Sequence, residues 1–165
     1  MNQRLLVPLI AFVASIACAD DPISRLPACR FEAASPSATW SRVPAPFDDI
    51  SFSMPSTFHQ ASEQTRFMHG GGQWNGPGCD VTVSYGMWGL SSFNPEGAEN
   101  VCQTVINGIP AVLISSSSNE THGLTAWLRT KAEPYEPVLA IRCSGKDDFS
   151  LARAVVGSIT RTASK

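Results

Sequence analysis

Residues 102–162 decide the fold and read CQTVINGIPAVLISSSSNETHGLTAWLRTKAEPYEPVLAIRCSGKDDFSLARAVVGSITRT. Four apolar runs rich in β-branched residues come first, and one run whose apolar residues recur at helical spacing follows. The pair Asn107-Gly108 separates the first two runs and suits a two-residue hairpin, because both residues tolerate a positive φ. This stretch therefore predicts an antiparallel meander of strands that is closed by a C-terminal helix.

The predicted strands of the meander cover residues 102–106, 109–115, 124–130 and 138–143. The last of them is almost entirely apolar, as expected of a central strand that is buried on both faces. In the helix, Phe149, Ala152, Val156 and Ile159 fall on one face, and Asp147 or Asp148 is expected to cap the first turn.

The chain before the meander predicts two more strands, at residues 50–54 and 79–85, because apolar and polar residues alternate there. Residues 70–78 are so rich in glycine that they predict a long loop. Asn94-Pro95-Glu96 is expected to open a short helix. The predicted fold class is α+β, with an antiparallel β-sheet meander flanked by helices and closed by the C-terminal one.

Residues 1–19 have the features of a signal peptide. Arg4 supplies a positive charge, residues 5–16 form an apolar core, and Ala17-Cys18-Ala19 offers small residues for cleavage. Cleavage after Ala19 would release a chain that begins at Asp20. Alternatively, residues 15–18 resemble a bacterial lipobox, which would leave a lipidated Cys18 as the membrane anchor. Both routes predict an exported protein, either periplasmic or extracellular, or anchored as a lipoprotein.

The rest of the chain divides into an irregular leader at residues 20–46, rich in proline, alanine and serine, and a single α+β domain at residues 47–162. The net charge of −2 gives no basic surplus that would favour nucleic acid. Contact with a membrane is therefore expected only through a lipid anchor at Cys18.

Removing or acylating Cys18 leaves four cysteines, Cys29, Cys79, Cys102 and Cys143, and this even number predicts two disulfides in an exported chain. In the predicted meander two strands separate Cys102 from Cys143. Their Cα atoms would then lie about 14 Å apart, whereas a disulfide needs less than about 7 Å. Cys79 is therefore expected to pair with either Cys102 or Cys143, and Cys29 with the other.

No catalytic, cofactor or metal site is predicted. His69-Gly70-Gly71-Gly72 is similar to the oxyanion loop of some esterases, but the sequence has no Gly-x-Ser-x-Gly elbow to supply a nucleophile. Residues 115–118 are four serines without a neighbouring base in sequence. The spacing of His59, His69 and His122 matches no metal motif.

Aromatic residues give the clearest indication of binding. Trp74, Trp88 and Phe93 lie in segments predicted to be irregular, where exposed aromatic residues often serve recognition. They are the predicted binding-surface residues. The alternative is that they fill the core of a small exported domain.

The order of these elements resembles the PsbP-like superfamily, which includes many bacterial lipoproteins. The resemblance rests on DISFSMP at residues 49–55, INGIPA at residues 106–111 and VVGSI at residues 155–159. It implies an antiparallel sheet flanked by helices, and it brings no catalytic residues with it.

The sequence as a whole predicts an exported, non-enzymatic binding or accessory protein of the bacterial cell envelope, with an envelope protein as its partner. The alternative is a small secreted hydrolase that uses His69 or His122 with a serine. The two hypotheses differ in whether a histidine nitrogen lies within hydrogen-bond reach of a serine or cysteine in a cleft.

Overall fold

Ten strands and one helix form within the part of the chain that the computed structural model describes, which is residues 25–45, 50–63, 71–86, 98–118, 120–130, 136–144 and 149–162. Their bounds are β1 (Trp40–Pro44), β2 (Ile50–Pro55), β3 (His59–Glu63), β4 (Gly71–Gly76), β5 (Cys79–Gly86), β6 (Ala98–Ile106), β7 (Ile109–Ser117), β8 (Thr121–Leu128), β9 (Glu136–Ser144), α1 (Ser150–Gly157) and β10 (Thr160–Arg161).

Seven of the strands form one antiparallel sheet in the order β3-β4-β5-β9-β8-β7-β6. The predicted meander is confirmed, since β6, β7, β8 and β9 lie side by side in chain order. β9 lies between β5 and β8, which explains its apolar sequence: Leu139 and Ile141 are completely buried. The predicted strands at residues 50–54 and 79–85 are also present, as β2 and β5.

The β6–β7 hairpin turns through Asn107 and Gly108, as predicted, with φ angles of 47° and 81°. Positive φ at both central residues defines the turn type whose twist matches that of paired strands. The side chain of Asn107 has a second role. Its Nδ2 donates hydrogen bonds to the carbonyl oxygens of Gly157, at 2.9 Å, and Ile159, at 2.7 Å. The hairpin therefore holds the end of α1.

Helix α1 closes the fold and buries the predicted face, with Ala152 and Val156 inside and Ile159 buried just beyond its end. Phe149 occupies the N-cap position of α1 and makes no side-chain cap hydrogen bond, while Asp147 and Asp148, which were predicted to cap the helix, lie outside the described residues. The Phe149 carbonyl oxygen accepts a hydrogen bond from the Arg153 N–H at 2.7 Å.

The expectation of flanking helices is only partly met. Helix α1 is the one helix within the described residues, and the helix predicted near Asn94 lies outside them. The remaining cover for the sheet comes from a second, three-stranded sheet in the order β1-β2-β10. None of the described helices is long and apolar enough to cross a membrane.

The small sheet contains a strand that was not predicted, since β1 lies within the leader and pairs antiparallel with β2. Five residues ending in a proline carry a weak strand signal, and β1 lies at a sheet edge, where proline is tolerated. β10 pairs with the other side of β2 directly after α1. Ser158 joins the helix to this sheet, because its Oγ accepts a hydrogen bond from the Ser53 N–H at 2.7 Å.

The predicted glycine-rich loop is wrong, because residues 71–76 form β4, paired with β3 and β5. Glycine composition usually indicates a turn, but here it permits close packing. A Cβ atom on Gly71 would lie 2.6 Å from the Val83 carbonyl oxygen, and one on Gly76 would overlap the Phe58 ring. The strand is therefore specified by its neighbours rather than by its own residues.

The main core lies between one face of the seven-stranded sheet and a layer made of α1 and the small sheet. Ile50, Phe52 and Met54 of β2 point into it and are at most 2% exposed. Completely burying one such side chain stabilises the fold by about 1.5–3 kcal/mol. A second cluster, Val112, Ile114 and Trp127, lies on the opposite face of the same strands.

The Asn107 contacts predict a stability effect that a glycine substitution isolates. Asn107→Gly keeps the positive φ but removes both hydrogen bonds to the end of α1. We expect the free energy of unfolding in urea to fall by about 1–2 kcal/mol. Gly108→Ala is the matched control, because it adds a Cβ into open space and costs only the strain of a positive φ. An unchanged stability in Asn107→Gly would show that these hydrogen bonds do not hold the helix.

Candidate functional site

The leader follows the free edge of the seven-stranded sheet. Ala28 forms a parallel bridge to Gln103 of β6. The Cys29 N–H donates to the Gln103 carbonyl oxygen at 2.9 Å, and the Gln103 N–H donates to the Pro27 carbonyl oxygen at 2.9 Å. The Gln103 side chain adds a third hydrogen bond, to the Leu26 carbonyl oxygen at 2.8 Å. Residues 26–29 therefore cover part of an edge that would otherwise be open to another strand.

The leader also passes from one face of the sheet to the other. Leu26 packs against the cluster around Trp127, whereas Cys29 and Phe31 pack against the main core. Further along the leader, Ala33 lies against Gly157, at the C-terminal end of α1. The segment thus crosses the edge of β6 and continues over the sheet toward the helix.

Two disulfides are present, Cys29–Cys102 and Cys79–Cys143. This connectivity is one of the two alternatives that the strand geometry left open, and the exclusion of a Cys102–Cys143 bond is confirmed. Cys79 and Cys143 are direct cross-strand partners on β5 and β9, with Cα atoms 4.0 Å apart. The Cys29–Cys102 bond closes a span of 73 residues and attaches the leader to β6.

Where the leader crosses the sheet it forms one wall of a cleft of about 230 Å³, called here the leader cleft. Residues 29–32 supply that wall, and Arg153 of α1 also lines the cleft. Strands β6, β7 and β8 contribute Asn100, Cys102, Leu113, Ser115 and Leu124. The cleft therefore depends on three parts of the chain, namely the leader, strands β6, β7 and β8, and helix α1.

The polar groups of the leader cleft are mostly exposed, and its apolar groups are mostly buried. Arg30, Glu32, Asn100 and Arg153 are exposed, whereas Leu113 is only 6% exposed. Neither guanidinium group has an ion-pair partner among the described residues. Two arginines against one glutamate leave the cleft with one net positive charge. An apolar surface edged by a few polar groups is the usual composition of a ligand site.

None of the residues that line this cleft was predicted as a binding residue. One signal was available for Arg153, because it is the one charged residue within the apolar run of α1. Arg30 follows a disulfide cysteine directly, but that signal is weaker. Only the folded chain brings the two arginines to one cleft, since they are 123 positions apart in the sequence.

A serine and a histidine do lie side by side near the cleft, without the hydrogen bond that catalysis would use. Ser117 and His122 are cross-strand partners on β7 and β8. The Ser117 hydroxyl donates to a carboxylate oxygen of Glu99. The buried Nδ1 of His122 has no hydrogen-bond partner, and its ring packs edge-on against Phe149 at 5.5 Å. The alternative histidine, His69, lies outside the described residues.

Of the three aromatic residues predicted to form a binding surface, Trp74 lies among the described residues, and its position does not support that prediction. Trp74 is 7% exposed and packs edge-on against Phe52, with ring centroids 5.6 Å apart. It belongs to the core because residues 71–76 form a strand rather than a loop. Trp88 and Phe93 lie outside the described residues, as does the predicted lipidation site Cys18.

Metal binding has no geometric support in the described ranges, where no three His, Cys, Asp or Glu side chains come together as metal ligands. His59 is an exposed residue of β3, and His122 is half-buried against Phe149.

Comparison with known proteins identifies the fold. The sequence matches no family model and no curated protein sequence. Among solved structures, cyanobacterial PsbP (CyanoP) from Synechocystis sp. PCC 6803 is 12% identical over 76% of this chain and 94% of its own, with a TM-score of 0.51. A protein from Bacteroides thetaiotaomicron is 9% identical over 74% of this chain, with a TM-score of 0.49; the alignment spans 48% of that protein's length. The chain has a PsbP-like fold, as the resemblance at residues 49–55, 106–111 and 155–159 implied.

The two disulfides are expected to differ in what they hold. Replacing both Cys29 and Cys102 by serine should lower the free energy of unfolding by about 4 kcal/mol, as should the same change at Cys79 and Cys143. Only the loss of the Cys29–Cys102 bond should release the leader. Trypsin should therefore cleave after Arg30 faster in the variant without this bond than in the variant without Cys79–Cys143. Limited proteolysis followed by mass spectrometry measures this. Equal cleavage rates in the two double variants would show that the leader is held without its disulfide.

Proposed function

We propose that this protein is an exported, non-enzymatic binding or accessory protein of the bacterial cell envelope. The observation that carries the proposal is the Cys29–Cys102 disulfide, which fixes the leader as a wall of the leader cleft. Disulfides form and persist in oxidising compartments outside the cytoplasm. The signal-peptide pattern of residues 1–19 supports the same location independently.

The chemistry of the leader cleft favours binding over catalysis. Its described lining residues include arginine, glutamate, asparagine and serine, which suit the recognition of a polar group on a ligand. General acid–base catalysis at neutral pH most often uses a histidine within hydrogen-bond reach of the reacting group. In the nearest pair, Ser117 donates to Glu99 rather than to His122. A small secreted hydrolase is therefore the second candidate and not the first.

Export is tested by the mass of the mature N-terminus in the native host. Cleavage of the signal peptide predicts either a chain that begins at Asp20 or one that begins at a lipidated Cys18. The first result would indicate a released protein and the second a lipoprotein. A chain that retains Met1 and remains in the cytoplasm would contradict the proposal.

Binding is tested by affinity capture from the native envelope with the oxidised protein as bait. Ser115→Tyr should fill the leader cleft, since Ser115 lines it and is half-buried. We expect the wild type to retain a reproducible partner and this variant to lose it. Ser41→Tyr is the matched control, because Ser41 is an exposed residue of β1 that does not line the cleft. Hydrolysis of model esters that depends on His122 would instead support the second candidate.

A further inference from the structure

Part of the lining of the leader cleft is apolar. Leu113 of β7 and Leu124 of β8, each 6% exposed, line it together with the half-buried Phe31. The volume of about 230 Å³ is below the range of roughly 300–1,000 Å³ that is typical of drug-sized ligands. The cleft is therefore smaller than the sites that enclose a whole drug-sized molecule.

The rim of the cleft fits a single negative charge. Arg30 of the leader and Arg153 of α1 line it, and neither has an ion-pair partner among the described residues. A guanidinium group presents paired N–H donors that match the two oxygens of a carboxylate. Glu32 lines the same cleft and would repel a second negative charge, so the rim favours a carboxylate over a doubly charged phosphate.

The open rim also indicates what the carboxylate is attached to. Small-molecule sites usually bury most of the ligand surface. Here Arg30, Glu32, Asn100 and Arg153 are all exposed, so a free amino acid would remain largely in contact with water. A polypeptide can continue over such a rim, and Asn100 and Ser115 offer amide and hydroxyl groups to its last peptide bonds.

We infer that the leader cleft binds the C-terminal residue of a partner polypeptide. The terminal carboxylate lies between Arg30 and Arg153, and the apolar side chain of the last residue packs on Leu113 and Leu124. This inference rests on the proposed binding function and names the chemistry of the partner.

Calorimetric titration of the protein with both disulfides formed tests the inference. The probes are the peptide acetyl-Ala-Ala-Leu with a free carboxylate, the same peptide with a C-terminal amide, free leucine, and inorganic phosphate. We expect the peptide acid to bind at least about tenfold more tightly than each of the others, as lost charge-assisted hydrogen bonds predict. Equal affinity for acid and amide, or no saturable binding of the acid, would overturn the inference. Tighter binding of leucine or phosphate would also overturn it, in favour of a small-molecule site.

Variants then locate the carboxylate. Arg30→Gln and Arg153→Gln should each weaken binding of the peptide acid about tenfold, and Arg153→Lys should weaken it less. Arg161→Gln, an exposed arginine of β10 that does not line the cleft, should leave the affinity unchanged. Thermal midpoints show whether each variant is folded. An equal loss in Arg161→Gln would mean that only general surface charge attracts the peptide, and would contradict the site.

The outcomes also separate this inference from the proposed function. If a captured envelope partner is retained equally by wild type, Arg30→Gln and Arg153→Gln, the binding function stands and the C-terminal carboxylate is wrong. If the peptide acid binds as expected but no envelope partner is captured, the chemistry of the cleft stands and the accessory role is wrong.

Discussion

Burial of one face of the seven-stranded sheet is the constraint on which the rest of the fold depends. Seven strands at about 4.8 Å spacing span roughly 29 Å. Helix α1 has 8 residues and is about 12 Å long and 10 Å wide. It cannot cover that face alone. The small sheet supplies the missing cover, and the complete burial of Ile50 and Phe52 on β2 shows that it acts as part of the core layer.

The two parts of this covering layer are joined over a few residues at the end of α1. Ser158 bonds to Ser53 of β2, Ile159 is buried in the core, and β10 begins at the next residue. Asn107 holds the same segment from the other side through two carbonyl oxygens. The short segments at residues 106–111 and 155–159 therefore help to specify how the covering layer lies on the sheet.

The meander could be predicted because its signals are local. Periodic apolar residues and the pair Asn107-Gly108 specify strands and turns within a few residues of themselves. Strand β4 could not be predicted in this way. Its glycines permit the close approach of the Val83 backbone and the Phe58 ring, and these contacts form only in the folded chain. The predicted strand spacing alone reduced the possible disulfide connectivities to two. Choosing between them required the position of Cys29, which depends on pairing with Gln103, 74 positions away.

The candidate site was beyond sequence reasoning for a related reason. Arg30 and Arg153 line the same cleft only because the leader crosses the edge of β6 and continues over the sheet toward α1. Trp74, predicted to lie on a binding surface, instead fills the core between β4 and β2, where it packs against Phe52.

The Cys29–Cys102 bond gives the leader cleft a further physical property. Ordering the backbone of residues 29–32 only when a ligand arrives would cost about 1–2 kcal/mol per residue. Such a cost would subtract directly from affinity. Because the disulfide and the backbone hydrogen bond from Cys29 to Gln103 fix the start of this segment when the chain folds, that part of the cost falls on folding rather than on binding. Fixing Cys29 in advance therefore removes part of the ordering cost that would otherwise oppose binding in the leader cleft.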